Sequence, residues 1–141
     1  NRLVKIGTSI ADVIAQCGGF NGTPGKIIAG GPMTGFTQFS LDTPIAKGVT
    51  GIIVLTEEEV KPVKVSPCIK CGKCVEACPV HLLPLTISAY SLKDRYDEAE
   101  EYNALACIEC GSCSYVCPAK RPLTESIAHA KREIKSKRKK S

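Results

Sequence analysis

The chain has 141 residues, enough for one domain or two small ones. Aromatic residues make up only 5% of it and tryptophan is absent, so little apolar surface is available for a core and a metal or disulfide staple is expected. No apolar run reaches the roughly 18–20 residues of a membrane-spanning helix, and the charged N-terminus is not expected to be a signal peptide. The net charge of +5 is concentrated in residues 131–141, which carry seven basic residues and one acidic residue.

A short amphipathic helix is predicted near the N-terminus. Thr8 or Ser9 can cap it, and Gly18 follows its end. Four apolar side chains recur there at helical spacing: Ile10, Val13, Ile14 and Cys17. Cys17 lies on this apolar face and is therefore expected to be a small buried core thiol. A ligand role is not expected for it, because the other eight cysteines of the chain already form two complete sets of ligands.

Residues 1–56 as a whole predict an α+β unit, with short strands packed on that one helix. Strands are expected to end at residues 5–6 and to cover residues 26–29 and 51–55. The glycine-rich residues 30–35 predict a tight turn, because a phosphate-binding loop leads into a helix and no helical pattern follows them. A further strand before Leu3 would complete this thin core, which together with the absent initiator methionine suggests an excised or processed chain.

Residues 57–66 are charged and contain Pro62, which indicates a linker. Residues 67–130 then predict a helical domain, in which Pro84 and Pro122 each start a helix. Its last helix is expected to bury one face made of Leu123, Ile127, Ala130 and Ile134. Residues 97–105 predict an acidic helix with a solvated face.

Two runs of cysteines dominate this helical domain. The run PCIKCGKCVEACPV contains Cys68, Cys71, Cys74 and Cys78, and the run ACIECGSCSYVCPA contains Cys107, Cys110, Cys113 and Cys117. Each follows C-x2-C-x2-C-x3-C-P, the bacterial ferredoxin pattern for cubane iron–sulfur clusters. Zinc is the alternative for an isolated C-x2-C pair, but two complete runs ending in proline favour clusters. Gly72 and Gly111 supply the small residues that such loops need beside the sulfurs.

The fourth cysteine of each run ligates the other cluster in proteins with two such runs. One predicted set of cofactor ligands is therefore Cys68, Cys71, Cys74 and Cys117, and the other is Cys107, Cys110, Cys113 and Cys78. No ligand position is missing, so two 4Fe–4S clusters are favoured over a 3Fe–4S cluster. The domain without its clusters is expected to fold poorly.

The chemistry that these ligands permit is one-electron transfer, since a fully ligated cluster has no open iron for a substrate. No catalytic residue is predicted. His81 and His129 are isolated in the sequence and are expected to be structural, although His81 could hydrogen-bond a cluster sulfur.

Residues 131–141 predict a basic tail with two open interpretations. It is either a frayed, solvated helix end or a segment attracted to an anionic membrane surface or an acidic partner subunit. Nucleic acid is not expected as a partner, because no aromatic platform accompanies these charges.

The stretches IGTSIADVIAQCGGF, KIIAGGPMTG and TPIAKGVTGIIVLTEEE, together with the two cysteine runs, resemble the C subunit of the Rnf complex. In that family the complex is a membrane-associated, ion-translocating ferredoxin:NAD oxidoreductase that drives Na⁺ or H⁺ transport. The resemblance implies a soluble-ligand-binding β-grasp (SLBB) unit at residues 1–56 and a helical ferredoxin-type domain with two 4Fe–4S clusters at residues 67–130. It also implies a peripheral position on the cytoplasmic side of the cell membrane.

The same resemblance implies certain partners and cofactors. Other subunits of a membrane redox complex are the expected partners, with ferredoxin or a flavoprotein domain as further candidates. FMN and NAD(H) would bind an upstream domain that is not in this sequence, so the chain alone is expected to carry electrons and not to oxidise NADH. Two alternatives stay open: part of a cobalamin-reductase-type flavoprotein, and a scaffold whose clusters are purely structural.

Overall fold

The structure of the chain, a computed structural model, describes residues 1–60 and 64–140. The chain divides into two compact units, Asn1–Pro62 and Val63–Ser141, here called the N-terminal unit and the cysteine unit. The predicted linker at residues 57–66 lies partly outside the described residues. Among the helices described, none combines the length and the apolar character needed to cross a membrane.

The N-terminal unit contains one helix and a three-stranded sheet. Its elements are α1 (Ile10–Gln16), β1 (Pro24–Ala29), β2 (Phe36–Gln38) and β3 (Ile52–Thr56). The strands lie in the order β2-β1-β3, and both pairs are antiparallel. The predicted helix and the strands predicted at residues 26–29 and 51–55 are therefore present. Residues 30–35 turn β1 back into β2, and a side chain at Gly35 would lie 2.6 Å from the carbonyl oxygen of Gly31.

Two expectations for this unit are wrong. Residues 5–6 are not in a strand, because the chain turns there and Gly7 N–H donates to the carbonyl of Ile45 at 2.9 Å. Cys17 is exposed instead of buried. Ser9 caps α1 and Ile10 is buried, but the helix ends at Gln16, so Cys17 has left helical geometry before its side chain could reach the core.

The cysteine unit is helical. Its elements are α2 (Lys73–Glu76), α3 (Pro84–Ser91), α4 (Tyr96–Glu101), a 3-10 turn (Ala104–Ala106), α5 (Ser112–Tyr115) and α6 (Leu123–Lys140). Helices α3, α4 and α6 pack on one another, and α2 contacts α5. The predicted buried face of the last helix is confirmed, since none of Leu123, Ile127, Ala130 and Ile134 is more than 2% exposed. Pro84 occupies the first turn of α3, as predicted.

A buried hydroxyl network joins α3 to α6 inside this core. Ser126 Oγ donates to Ser88 Oγ at 2.7 Å, and Ser91 Oγ donates to the carbonyl of Ser126 at 2.6 Å. All three serines are buried, and each hydroxyl has a partner, so their burial carries little desolvation penalty. Each of these two helices follows one of the cysteine runs, so the network fixes the two runs relative to each other.

Two expectations about the charged segments also need correction. The acidic helix ends at Glu101, because Asn103 adopts a left-handed backbone with φ of 59° before the 3-10 turn. Residues 131–140 are not a frayed tail but the second half of α6. Lys137 Nζ lies 3.0 Å from Asp97 Oδ1 on α4, and Arg138 pairs with Glu100 in the same way. The two charged segments therefore pair with each other, although exposed pairs of this kind add little stability.

Candidate iron–sulfur cluster sites

The two cysteine runs share one backbone geometry. A left-handed backbone occurs at three equivalent positions in each run: Lys70, Gly72 and His81 in the first (φ of 56°, 78° and 53°) and Glu109, Gly111 and Lys120 in the second (57°, 82° and 51°). Non-glycine residues rarely adopt this conformation. Its repetition at matching positions shows that both runs fold into the same kind of loop, and each loop leads into a single helical turn, α2 or α5.

The eight cysteines surround two cavities in a three-plus-one arrangement. The first cavity, of about 170 Å³, is lined by Cys68, Cys71, Cys74 and Cys117. The second cavity, of about 20 Å³, is lined by Cys107, Cys110, Cys113 and Cys78. The structure thus brings the cysteines together in the two sets named from the sequence, and ligation itself stays a prediction.

Backbone amides in these loops donate to cysteine sulfurs. Lys70 N–H donates to Cys68 Sγ at 3.3 Å, and Glu109 N–H makes the equivalent bond to Cys107 Sγ at 3.4 Å. Such bonds stabilise negative charge on sulfur and are among the features that tune iron–sulfur clusters. Four thiols with amide donors therefore fit a 4Fe–4S cluster chemically at both cavities.

The room available differs between the two cavities. The first is large enough to receive a compact inorganic group, whereas about 20 Å³ in the second is little more than one water molecule needs. The second cavity would have to widen to accept a cluster. Cys107 and Cys110 on its wall are only partly buried, so rotation of their side chains offers a way to widen it.

The local environments of the thiols shift their pKa values in different directions. Burial raises the pKa of the Cys74 and Cys107 thiols, because it disfavours the thiolate. A hydrogen bond with the Ser112 hydroxyl lowers the pKa of Cys110. A metal ligand must be a thiolate, so loading a site displaces these protons, and iron supplies the positive charge that the buried thiolates lack. Cys74 on α2 lines the first cavity and Cys113 on α5 lines the second, and these two helices contact each other, so the two cavities are adjacent.

The charged side chains at the two cavities differ, and the sequence interpretation missed both of the important ones. Arg121 lines the first cavity, and its buried Nε has no hydrogen-bond partner among the residues that the structure describes. At the second cavity, the buried Lys131 Nζ donates to the carbonyl of Cys107 and lies 2.6 Å from Glu109 Oε1. The sequence could have indicated the burial of Lys131, because this residue lies four positions after Ile127 and therefore on the apolar face of α6.

Neither histidine is among the described residues that line the two cysteine cavities. His81 is exposed in the turn after the first run, where its N–H donates to the carbonyl of Cys78 at 3.1 Å. His129 Nε2 lies 3.2 Å from Tyr96 Oη and packs edge-on against that ring. The side-chain contacts of His129 favour its structural interpretation, whereas the bond of His81 involves only its backbone.

Replacing Lys131 with methionine is expected to loosen the second cysteine loop. The change keeps most of the apolar stem but leaves the Cys107 carbonyl and the Glu109 carboxylate without this donor, which should cost about 1–3 kcal/mol. A chelator should therefore remove iron from the loaded variant faster than from the unaltered protein, and this rate is the measurement. A matched control is Lys135→Met on an exposed face of the same helix, and equal rates for both variants would contradict the expected role.

Family models match both units of the chain. One, described as an SLBB domain, matches residues 1–37, and another, described as a 4Fe-4S dicluster domain, matches residues 67–121. The fold and the site thus define an α+β chain that joins an SLBB domain to a ferredoxin-type dicluster domain.

Curated relatives extend this result to nearly the whole chain. The C subunit of the Na⁺-translocating ferredoxin:NAD⁺ oxidoreductase complex of Acetobacterium woodii is 56% identical over 137 residues, which are 97% of this chain and 31% of that protein. The C subunit of the proton-translocating complex of Clostridium ljungdahlii is 57% identical over 94% of this chain and 29% of its own length. The C subunit of the ion-translocating oxidoreductase complex of Methanosarcina acetivorans is 48% identical, with 94% and 30% covered.

The chain therefore spans about three-tenths of the length of these relatives. The predicted resemblance to the C subunit of the Rnf-type ion-translocating oxidoreductases, which rests on sequence stretches in both units, is confirmed for that segment.

Proposed function

We propose that this chain relays single electrons through two 4Fe–4S clusters, as part of the C subunit of an ion-translocating ferredoxin:NAD oxidoreductase complex. The observation that carries the proposal is the three-plus-one grouping of cysteines at two adjacent cavities. Cys68, Cys71, Cys74 and Cys117 would hold one cluster, and Cys107, Cys110, Cys113 and Cys78 the other. Such clusters supply one-electron oxidation and reduction when bound.

The residues around the cysteines suit a relay. Both cavities have apolar residues in their walls, such as Leu85 at the first and the buried Leu82 and Ile127 at the second. Helices α2 and α5, which each carry a cysteine of one run, contact each other. Each cluster would also link the two cysteine runs through its ligands. The clusters would therefore stabilise the fold in addition to transferring electrons.

The names of the relatives support a proposal for the setting of the relay. Their names describe subunits of complexes that use ferredoxin and NAD⁺ and move Na⁺, protons or unspecified ions. For this chain we propose a peripheral position on the cytoplasmic side of the membrane, other subunits as structural partners, and ferredoxin or a flavoprotein domain as redox partner. Residues 1–56 would form the β-grasp unit and residues 67–130 the dicluster domain. FMN and NAD(H) would bind an upstream domain, so this chain alone would not oxidise NADH.

Contact with anionic lipid is a weaker part of this proposal. Lys137 and Arg138 already pair with acidic side chains of α4, which reduces the charge that this end of α6 presents. Among the described side chains of residues 131–139, the exposed Arg132, Lys135 and Lys139 could attract a negative surface.

Iron and sulfide analysis with a redox titration followed by EPR tests the proposal. We expect about eight iron and eight acid-labile sulfide per chain, and two clusters that cycle reversibly by one electron at the low potentials of ferredoxins. Values near four of each would contradict the two-cluster assignment. Two clusters that do not cycle reversibly would favour a purely structural role.

A further inference from the structure

We propose that Arg121 raises the reduction potential of the cluster at the first cavity above that of the cluster at the second, so that a single electron rests at the first. The inference deepens the proposed function and rests on the two clusters that it assigns. It follows from a departure from the internal symmetry of the two cysteine runs.

Arg121 and Leu82 occupy equivalent positions. Leu82 lies four residues after Cys78 and lines the second cavity, whereas Arg121 lies four residues after Cys117 and lines the first. Leu82 is only 8% exposed, so packing at this position is satisfied by an apolar side chain. The loop geometry thus does not require a cation at residue 121.

One nitrogen of the Arg121 guanidinium also lacks a partner among the described residues. Its Nε is buried, and no described residue accepts its hydrogen bond. A buried donor without a partner is costly unless an acceptor is supplied. The sulfurs around the first cavity are the acceptors at hand, and a cluster with four thiolates is an anion whose charge the guanidinium would offset.

The second cavity has no cation among the described residues that line it. Its one charged wall residue among those described is Glu109, and the nearby Lys131 is neutralised by that carboxylate at 2.6 Å. The equivalent position in the first run is Lys70, which lines the first cavity and is basic. Both differences make the first cavity the more positive one.

Positive charge acts on the potential because reduction adds one electron and therefore one negative charge. No bond is formed or broken and no proton is taken up, and the electron comes from a low-potential one-electron donor such as a reduced ferredoxin. Arg121 is partly buried and its Nε is fully buried, so its charge is screened less by solvent than that of an exposed cation. Hydrogen bonds to sulfur shift the potential of a cluster in the same way. Lys70 is exposed and screened by solvent, so Arg121 supplies most of the effect.

The decisive variant is Arg121→Leu, which gives the first cavity the residue that the second already accommodates. The test is an EPR-monitored redox titration of the full chain with both clusters loaded, and the first-cavity signal is identified as the one altered by Cys117→Ser. We expect the ratio of reduced to oxidised cluster at a given potential to fall at least tenfold for that signal. This corresponds to a reduction potential lower by at least 59 mV for a one-electron couple. The signal of the second cluster should not move.

Two further variants separate the effect of the Arg121 cation from general charge effects. Lys73→Leu removes the same charge from an exposed position next to Cys74 and should shift the signal far less. Arg121→Lys keeps the charge and should recover most of the potential. A shift in Lys73→Leu as large as that in Arg121→Leu, equal shifts of both clusters, or no shift at all would overturn the inference.

The outcome is separable from that of the proposed function. Fewer than two clusters in the unaltered chain would refute the relay itself, whereas two clusters with potentials indifferent to residue 121 would refute only this inference. If Arg121→Leu does not retain its clusters, Glu109→Gln decides. Loss of that carboxylate should raise the reduction potential of the second cluster and so reduce the difference between the potentials of the two clusters. An unchanged difference would count against the electrostatic asymmetry.

Discussion

A chain in which serine replaces Cys117 is expected to lose the cluster of the first cavity, although all four cysteines of the first run are intact. Cys117 belongs to the second run but lines the first cavity with Cys68, Cys71 and Cys74. A serine hydroxyl is a poor substitute for a thiolate, so that cluster should be lost or converted to a 3Fe–4S form. Iron analysis should show about half the iron if the cluster is lost, and EPR should show one altered signal beside one unchanged signal.

The reciprocal variant sharpens this test. Cys78→Ser should alter the other signal, because Cys78 lines the second cavity with the cysteines of the second run. Cys17→Ser is the matched control, since Cys17 is exposed and lies outside both sets. If Cys117→Ser and Cys110→Ser affected the same signal, each run would hold its own cluster and the crossed assignment would be wrong.

Replacing Ile87 with alanine is expected to destabilise the cysteine unit by about 2–5 kcal/mol. Ile87 is fully buried on α3, inside the core that α3, α4 and α6 share, and its loss leaves a cavity where the helices cannot close. It lines neither cysteine cavity, so the effect should be on folding and not on ligation. Urea unfolding followed by the visible absorbance of the clusters should show a lower midpoint.

Leu92 provides the control for this change. It lies at the end of the same helix but is 57% exposed, so Leu92→Ala should change stability by no more than about 0.5 kcal/mol. Equal midpoints for the two variants would mean that the helical core contributes little beyond what the clusters supply.

The spacing of apolar residues and the positions of prolines predicted most of the fold of the cysteine unit. The spacing of Leu123, Ile127, Ala130 and Ile134 gave the buried face of α6, and Pro84 marked the start of α3. The grouping of cysteines around the two cavities also agrees with the spacing rule for two-run ferredoxins. These features depend on local chemistry, which a sequence displays directly.

The wrong predictions share a physical cause. The burial of a side chain depends on where its helix or strand ends and on which distant part of the chain packs against it. Cys17 has the spacing of a core residue, but α1 ends one residue before it. The basic residues of 131–140 suggested a solvated tail because the acidic face of α4 that partly neutralises them is distant in sequence. Arg121 gave no signal at all, since its buried Nε depends on how the two runs fold against each other.

Rapid freeze-quench EPR of the whole complex during turnover tests the relay most directly. After mixing with a one-electron donor such as reduced ferredoxin, with NAD⁺ present, we expect both clusters of this chain to become reduced and then reoxidised at least as fast as the complex turns over. Clusters that stay oxidised throughout turnover, or that change more slowly than the complex turns over, would contradict the relay.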